Sequence, residues 1–381
     1  MDYGRFFSDD VASFMRSPVR EIFKKVDLNA IFSFAGGYPS AQTFPLDQVR
    51  ELSARVLDRY GAKALQYGAT QGVPELREAI AARAGVPIAN VQVTTSSQQG
   101  IDVCTRVLCN PGDTILTTNP TYLGALQSFC SYRAHVVAMD SFGPVDPPEN
   151  AKFIYIIPDF QNPTGRTLTL AERQQLVEYA RCHDLLIVED SPYRELRYSG
   201  ESVPTIYSLA PERTLHLGSF SKIFAPGFRL GWIIGPEPLL EQIYICKQSL
   251  DLCPPIMDQY MAAEFLSSGA LDDNLQHSID LYRTKRDLML SLLERYMPDG
   301  VSWTHPDGGL FLFLTLPECC DTVAMYDSAL AAGVAYVAGS FFYVDRSMGT
   351  NTMRLNFSFL DSSRMEEGIR ILAEQIRKAC L

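Results

Sequence analysis

The strongest pattern along the chain is a set of short apolar runs: "VQVTT" (91–95), "TILTTN" (114–119), "HVVAMD" (135–140), "KFIYIIP" (152–158), "LLIVED" (185–190), "TLHLGSF" (214–220) and "LGWIIG" (230–235). Most are continuously apolar rather than alternating, which predicts strands buried on both faces. Between several of them the spacing lengthens to a helical period, as in "SQQGIDVCTRVL" and "TLAERQQLVEYARCH". The second is entered through a Thr placed to cap it and left through a His. Repetition of strand, helix and strand predicts an α/β fold with a mostly parallel sheet covered by helices on both faces, over roughly residues 45–285.

From about residue 286 the pattern changes. A long amphipathic helix, "RDLMLSLLERYM", is followed by short strands in "GLFLFLTL" and "RLNFSF" and by a closing helix, "SRMEEGIRILAEQIRKA". This predicts a smaller α+β domain over 286–381, with a large domain over 45–285. Residues 1–44 are too short to form a core alone and are expected to pack with the smaller domain.

Charge and composition then narrow the function. The formal net charge is −11 over 381 residues, from 33 Lys and Arg against 44 Asp and Glu, which argues against nucleic acid as a partner. No uncharged apolar run is long enough to span a membrane, and "MDYGRFFSDDVASFMRSPVREIF" lacks the layout of a signal peptide. A cytoplasmic location is therefore expected. Nine cysteines without C-x-x-C spacing point to reduced thiols, and the five histidines show no paired-ligand spacing, so no metal is expected.

Ligands of open α/β sheets bind at the carboxyl ends of the strands. Polar candidates cluster there: Ser97 and Gln98 after the first run, Tyr122 after the second, Asn162 after the fourth, Asp190 ending the fifth and Lys222 after the sixth. Lys222 sits in "HLGSFSKIFAPGFRLGW" (216–232), a lone ammonium among Phe220, Ile223, Phe224 and Phe228. An amine buried in this way loses its charge or finds a partner, and a neutral amine condenses with a carbonyl.

One cofactor, pyridoxal phosphate, would use such a lysine together with three further features: a carboxylate at its pyridine nitrogen, donors for its phosphate and a hydrogen bond to its ring oxygen. Asp190 could supply the first, although Asp before Ser-Pro also caps turns. Thr95, Ser96, Ser97 and Gln98 stand at a strand-to-helix junction that favours anions, or that is simply capped, and Ser219, Ser221 and Arg229 could complete a phosphate cradle. Asn162 in "PDFQNPTG" and Tyr193 in "SPYREL" could meet the ring oxygen, while Asn-Pro is also an ordinary turn. Tyr122 could stack on the ring or belong to the core.

Taken in order, "PDFQNPTG", "VEDSPYRELRY", "SFSKIFAPGFRLGW" and "RLNFSF" resemble the segments of fold type I pyridoxal-phosphate aminotransferases of class I/II. The opening "SPVREIFKKVDLNAIFSFAGGYPS" resembles the branch containing 2-aminoadipate and kynurenine aminotransferases. The resemblance covers nearly the whole chain. It implies an aminotransferase-like large domain with a mostly parallel seven-stranded sheet, and transamination between an L-amino acid (glutamate, 2-aminoadipate or an aromatic) and a 2-oxo acid.

The resemblance also assigns roles. Lys222 carries the cofactor as an aldimine and then moves the proton. Asp190 and Tyr193 support that chemistry, Arg354 holds the substrate α-carboxylate, Gly37 allows close approach of backbone to substrate, and Arg20 meets a distal carboxylate. It implies a homodimer with composite sites, in which Tyr67 reaches the neighbouring subunit's cofactor phosphate. This chain departs from the family at Ser96, where Gly is usual. Two alternatives stay open: a β-lyase on the same fold, and a non-catalytic regulatory module, which would need a basic DNA-binding region that the acidic chain does not show.

Overall fold

The computed structural model describes residues 1–8, 11, 14, 30–139, 142–143 and 145–379. Phe32–Ser33 forms a short first strand, β1. The seven apolar runs form β2 (Val91–Thr94), β3 (Thr114–Thr118), β4 (His135–Met139), β5 (Ala151–Ile156), β6 (Leu186–Asp190), β7 (Thr214–Ser219) and β8 (Gly231–Ile234). They make one seven-stranded sheet in the order β2-β8-β7-β6-β5-β3-β4. β8 runs antiparallel to β2 and β7, while β3 to β7 pair in parallel. The reason is the connection: only Phe220–Leu230 joins β7 to β8, too few residues for a parallel crossover.

Alternate residues of the central strands β5 and β6 enter different cores, which explains why their runs are continuously apolar. Phe153, Tyr155 and Ile157 join Val188, Leu215, Leu217 and Ile233 on one face, under the helices Ser96–Leu108 and Glu237–Gln248. Ile154, Ile156 and Ile187 join Leu116 on the other, under the helix Leu170–Cys182. That helix begins with a full capping box: Thr169 accepts from the Glu172 N–H while the Glu172 carboxylate accepts from the Thr169 N–H.

Beyond this sheet, β9 (Ser302–Trp303), β10 (Phe311–Thr315), β11 (Val334–Ala335), β12 (Val337–Ala338) and β13 (Thr352–Asn356) follow. The order β12-β13-β10-β9 forms an antiparallel sheet, and β1 pairs in parallel with β11. The Phe34 N–H donates to the Ala335 carbonyl and the Phe34 carbonyl accepts from the Asn356 N–H, both at 2.8 Å, so the segment leading from β1 is stitched into this region. The helices Ala270–Tyr296 and Ser362–Ala379 pack over it through Met289, Leu292, Ile369 and Leu372. The first of these runs unbroken through residues 285 and 286.

Among the described residues seven cysteines are free, but Cys320 is disulfide-bonded, so the expectation of reduced thiols fails at that position. Among the described residues no helix is long and apolar enough to cross a membrane. The fold makes a simple prediction about its central core. Phe153 is fully buried, and Phe153→Ala should lower unfolding free energy by about 3–5 kcal/mol in urea titrations, the cost of an aromatic-sized core deletion; a loss within experimental error of zero would contradict the packing described.

Candidate active site

The carboxyl edge of the large sheet opens into a cavity of about 850 Å³. Its lining includes Gly37, Ser97, Gln98, Tyr122, Asn162, Asp190, Tyr193, Ser219, Ser221, Lys222, Arg229 and Arg354, so residues scattered over more than three hundred positions meet in one place. The antiparallel course of β8 contributes directly. Its amino end lies at the same edge as the carboxyl ends of its neighbours, which returns Arg229 to the cavity after the single turn Pro226–Phe228.

Lys222 follows β7 on the loop between two paired strands and is half-buried against the cavity. Its ammonium donates to the Gly37 carbonyl at 2.7 Å, a neutral partner. Desolvation, followed by the nearby Arg354 and Arg229, lowers its pKa to about 8. At physiological pH the amine is still mostly protonated, but it gives up its proton far more readily than an ordinary lysine.

β6 ends in two adjacent acids whose side chains leave opposite faces of the strand. Glu189 is fully satisfied: it accepts from the Ile206 and Tyr207 N–H groups and pairs with His216 Nδ1 at 3.0 Å. Asp190 faces the cavity and has less support. Tyr155 donates to its Oδ2 at 2.7 Å, while its buried Oδ1 has no hydrogen-bond partner among the described residues. Burial raises its pKa to about 6, against smaller opposing contributions from Tyr155 and His216.

At the amino end of the helix Ser96–Leu108, Ser96 adopts a left-handed backbone with φ +70°. The turn thus keeps the conformation that a glycine would favour, despite the serine. The Ser96 hydroxyl accepts from Arg229 Nη2 at 2.6 Å. Gly231 is required beside it, because a Cβ there would lie 2.7 Å from the backbone of both Ser96 and Ser97. Ser219 accepts from the Ser221 N–H at 3.1 Å, and Gln98 joins Tyr122 to the cavity wall by accepting from its hydroxyl at 3.1 Å.

Arg354 on β13 comes from the small antiparallel sheet. It is 4% exposed, and its partners among the described residues are neutral: Asn162 Oδ1 at 2.8 Å and the Ala35 carbonyl at 2.6 Å. Its guanidinium lies over the rings of Phe311 and Phe342. Burial lowers its pKa to about 10. The Tyr193 hydroxyl hydrogen-bonds with the Asn162 side chain, and burial pushes its pKa up.

Two of the expected residues do not join this group. Tyr67 is 78% exposed and does not line the cavity, and Arg20 lies outside the described residues. Others were not anticipated. Tyr155 reads in sequence as one more core aromatic. Asp159, fully buried, pairs with Arg173 at 2.7 Å and Arg194 at 3.0 Å, and so ties the segment carrying Asn162 to the one carrying Tyr193. A charged residue within an otherwise apolar strand end, "IIPDF", was the available signal.

The fold and this cavity define a sheet-edge site built around an amine, a buried carboxylate and a cluster of hydroxyl groups with a guanidinium. Comparison with known proteins agrees. Residues 34–372 match the family model for aminotransferase class I and II. The chain is 43% identical to an aromatic-amino-acid aminotransferase of Thermococcus litoralis, covering 99% of this chain and 95% of that protein. It superposes with a TM-score of 0.93 at 40% identity on a kynurenine aminotransferase of Pyrococcus horikoshii in complex with PMP, covering 99% of this chain and 98% of the other. With an α-aminoadipate aminotransferase of Thermus thermophilus, complexed with N-(5′-phosphopyridoxyl)-L-leucine, the TM-score is 0.92 at 32% identity, over 100% of this chain and 99% of the other. The chain belongs to the class I and II aminotransferases, pyridoxal-phosphate enzymes of fold type I that move an amino group from an amino acid to a 2-oxo acid.

The lowered pKa of Lys222 has a measurable consequence. Between about pH 8 and pH 10.5 the unfolded chain binds a proton that the folded, cofactor-free chain resists, so this lysine makes stability rise with pH and penalises folding fully below that window. Lys222→Met should therefore make the cofactor-free protein more stable than its parent near neutral pH, with the margin shrinking as pH approaches 10.5. Urea unfolding of both proteins across the range checks it; a margin independent of pH would refute the assignment.

Proposed function

We propose that the cavity holds pyridoxal phosphate on Lys222 and uses Arg354 to seat the substrate α-carboxylate, with aromatic L-amino acids as the preferred donors. The observation that carries this reading is Arg354 itself, a buried guanidinium whose described partners are all neutral, in the same cavity as a lysine of lowered pKa. A buried cation without an anion is costly, and a substrate carboxylate would relieve that cost by a bidentate contact. Retaining the carboxylate also weighs against decarboxylation.

The residues present fit the cofactor. Asp190 Oδ1, buried and without a described partner, would accept from a protonated pyridine nitrogen. Asn162 and Tyr193 would meet the ring oxygen, Tyr122 would cover the ring, and Ser97, Gln98, Ser219, Ser221 and Arg229 would surround the phosphate. When bound, the cofactor withdraws electrons from the substrate α-carbon and so acidifies its proton. Lys222 then serves as the base that takes this proton, for which its lowered pKa suits it. Gly37 holds the Lys222 amine through its carbonyl at 2.7 Å.

Donor choice follows from charge. Among the described residues lining the cavity the cations are Lys222, Arg229 and Arg354, each already given a role, whereas Tyr38, Tyr122 and Phe342 supply aromatic surface. A side chain with an aromatic ring fits that remainder better than one ending in a carboxylate. The similarity to the aromatic-amino-acid aminotransferase of Thermococcus litoralis supports the same choice.

We further propose that the enzyme is a cytoplasmic homodimer in which the exposed Tyr67 enters the site of a second copy, and that residues 45–285 form the cofactor-binding domain while 1–44 pack with 286–381. Loss of the cofactor's visible absorbance on adding single L-amino acids, with release of the matching 2-oxo acid, tests the donor. Phenylalanine or tyrosine should react at lower concentration than glutamate or 2-aminoadipate, and the reverse order would assign the distal contact to Arg20. Arg354→Met should lower kcat/KM for every donor by roughly 30- to 1000-fold, the worth of about 2–4 kcal/mol of charge-assisted binding, while leaving the absorbance of the resting enzyme in place.

A further inference from the structure

The cradle at Ser96 is gripped from behind by residues that do not enter the chemistry above. Thr95 Oγ1 donates to Asp251 Oδ2 at 2.8 Å, and the Gln99 amide donates to the same oxygen at 2.7 Å. Gln99 Oε1 accepts from the Thr95 N–H at 2.8 Å, closing a small ring. The other carboxylate oxygen, Asp251 Oδ1, accepts from Lys247 Nζ at 2.6 Å, and the Lys247 side chain has no exposed surface. A buried ammonium thus fixes a carboxylate, and that carboxylate holds one residue before the cradle and one after it.

Ser96 stands between those two residues, 3% exposed. A left-handed backbone is unfavourable for a non-glycine residue, and it persists only where its surroundings dictate it. Thr94 Oγ1 adds to the constraint by donating to the Ser96 carbonyl at 3.0 Å. On the far side the Ser96 hydroxyl holds Arg229 at 2.6 Å. The contacts form one chain from Lys247 through Asp251, Thr95 and Ser96 to Arg229.

We propose that Asp251, fixed by Lys247, is the positioning residue of the phosphate cradle: through Thr95 and Gln99 it holds Ser96 in its left-handed conformation, and so keeps Ser96, Ser97 and Arg229 arranged for an anion before the cofactor binds. Preorganisation of this kind acts on affinity, because the cost of ordering the site falls on folding rather than on binding. The inference rests on reading the cradle as the phosphate site.

Pyridoxal phosphate and pyridoxal share ring and aldehyde and differ in the phosphate, so they separate this role from a general structural one. Full-length enzyme stripped of cofactor is titrated with each, following visible absorbance. In Asp251→Asn the affinity for pyridoxal phosphate should fall roughly 10- to 100-fold, the worth of one charge-assisted hydrogen bond, while pyridoxal binding stays within about twofold of the parent. Inorganic phosphate should also compete less well in the variant. Thr95→Val, which keeps the Lys247–Asp251 pair and the shape of the side chain, should shift in the same direction and carries the test if Asp251→Asn does not fold. Equal loss of both ligands, or unchanged affinity for pyridoxal phosphate, overturns the proposal. A parent enzyme that binds pyridoxal as tightly as pyridoxal phosphate would overturn the phosphate assignment instead.

Discussion

Three cations lining one cavity set the terms for everything else in this site. Lys222, Arg229 and Arg354 arrive from a loop, a strand entrance and a separate sheet, and burial together with the two guanidinium groups makes the Lys222 ammonium easier to deprotonate. Guanidinium groups release a proton far less readily than an amine, so the lysine is the member that yields. Arg354, buried among neutral described partners, lacks an anion. A phosphate and a carboxylate are the two anions that the family's cofactor and substrates carry, and the arrangement thereby couples ligand choice to the reactivity of the amine.

The opposite problem is solved at β6. Two consecutive acids would be hard to bury together, but the pleat sends them to different faces, where they meet different donors. Glu189 receives backbone N–H groups and His216, and burial's upward push on its pKa is outweighed. Among the described residues Asp190 receives only Tyr155 and stays partly unsatisfied. One strand end therefore provides both an anchor for the fold and an acceptor open to the cavity.

Much of this was legible in the sequence because burial on both faces of a sheet leaves an unbroken apolar run, and all seven runs became strands. The strand ends then located Ser97, Tyr122, Asn162, Asp190 and Lys222, since the edge of a parallel sheet gathers them whatever their separation in sequence. The direction of β8 was not legible from its apolar content, which is the same either way; it follows from the short link Phe220–Leu230. Tyr155 was hidden because a core tyrosine looks the same whether or not its hydroxyl meets a carboxylate. Asp251 was hidden by distance, 156 positions from Thr95, in a loop with no pattern of its own. The role proposed for Tyr67 needs a second chain, Arg20 lies outside the described residues, and pattern alone does not reach either.

The loop Phe220–Leu230 has a further consequence. Ser219 pairs with Gly231 at its neck, and the Phe220 N–H donates to the Leu230 carbonyl at 3.1 Å, so the loop is closed at its base by the sheet. Lys222 and Arg229 both stand on it. The groups proposed for the two ends of the cofactor are thus marks on a single short rule, and their spacing does not change if the body carrying Arg354 and Gly37 shifts. On the proposed reading the cofactor is measured by one fixed gauge, while the substrate carboxylate is met by a residue from a separate sheet.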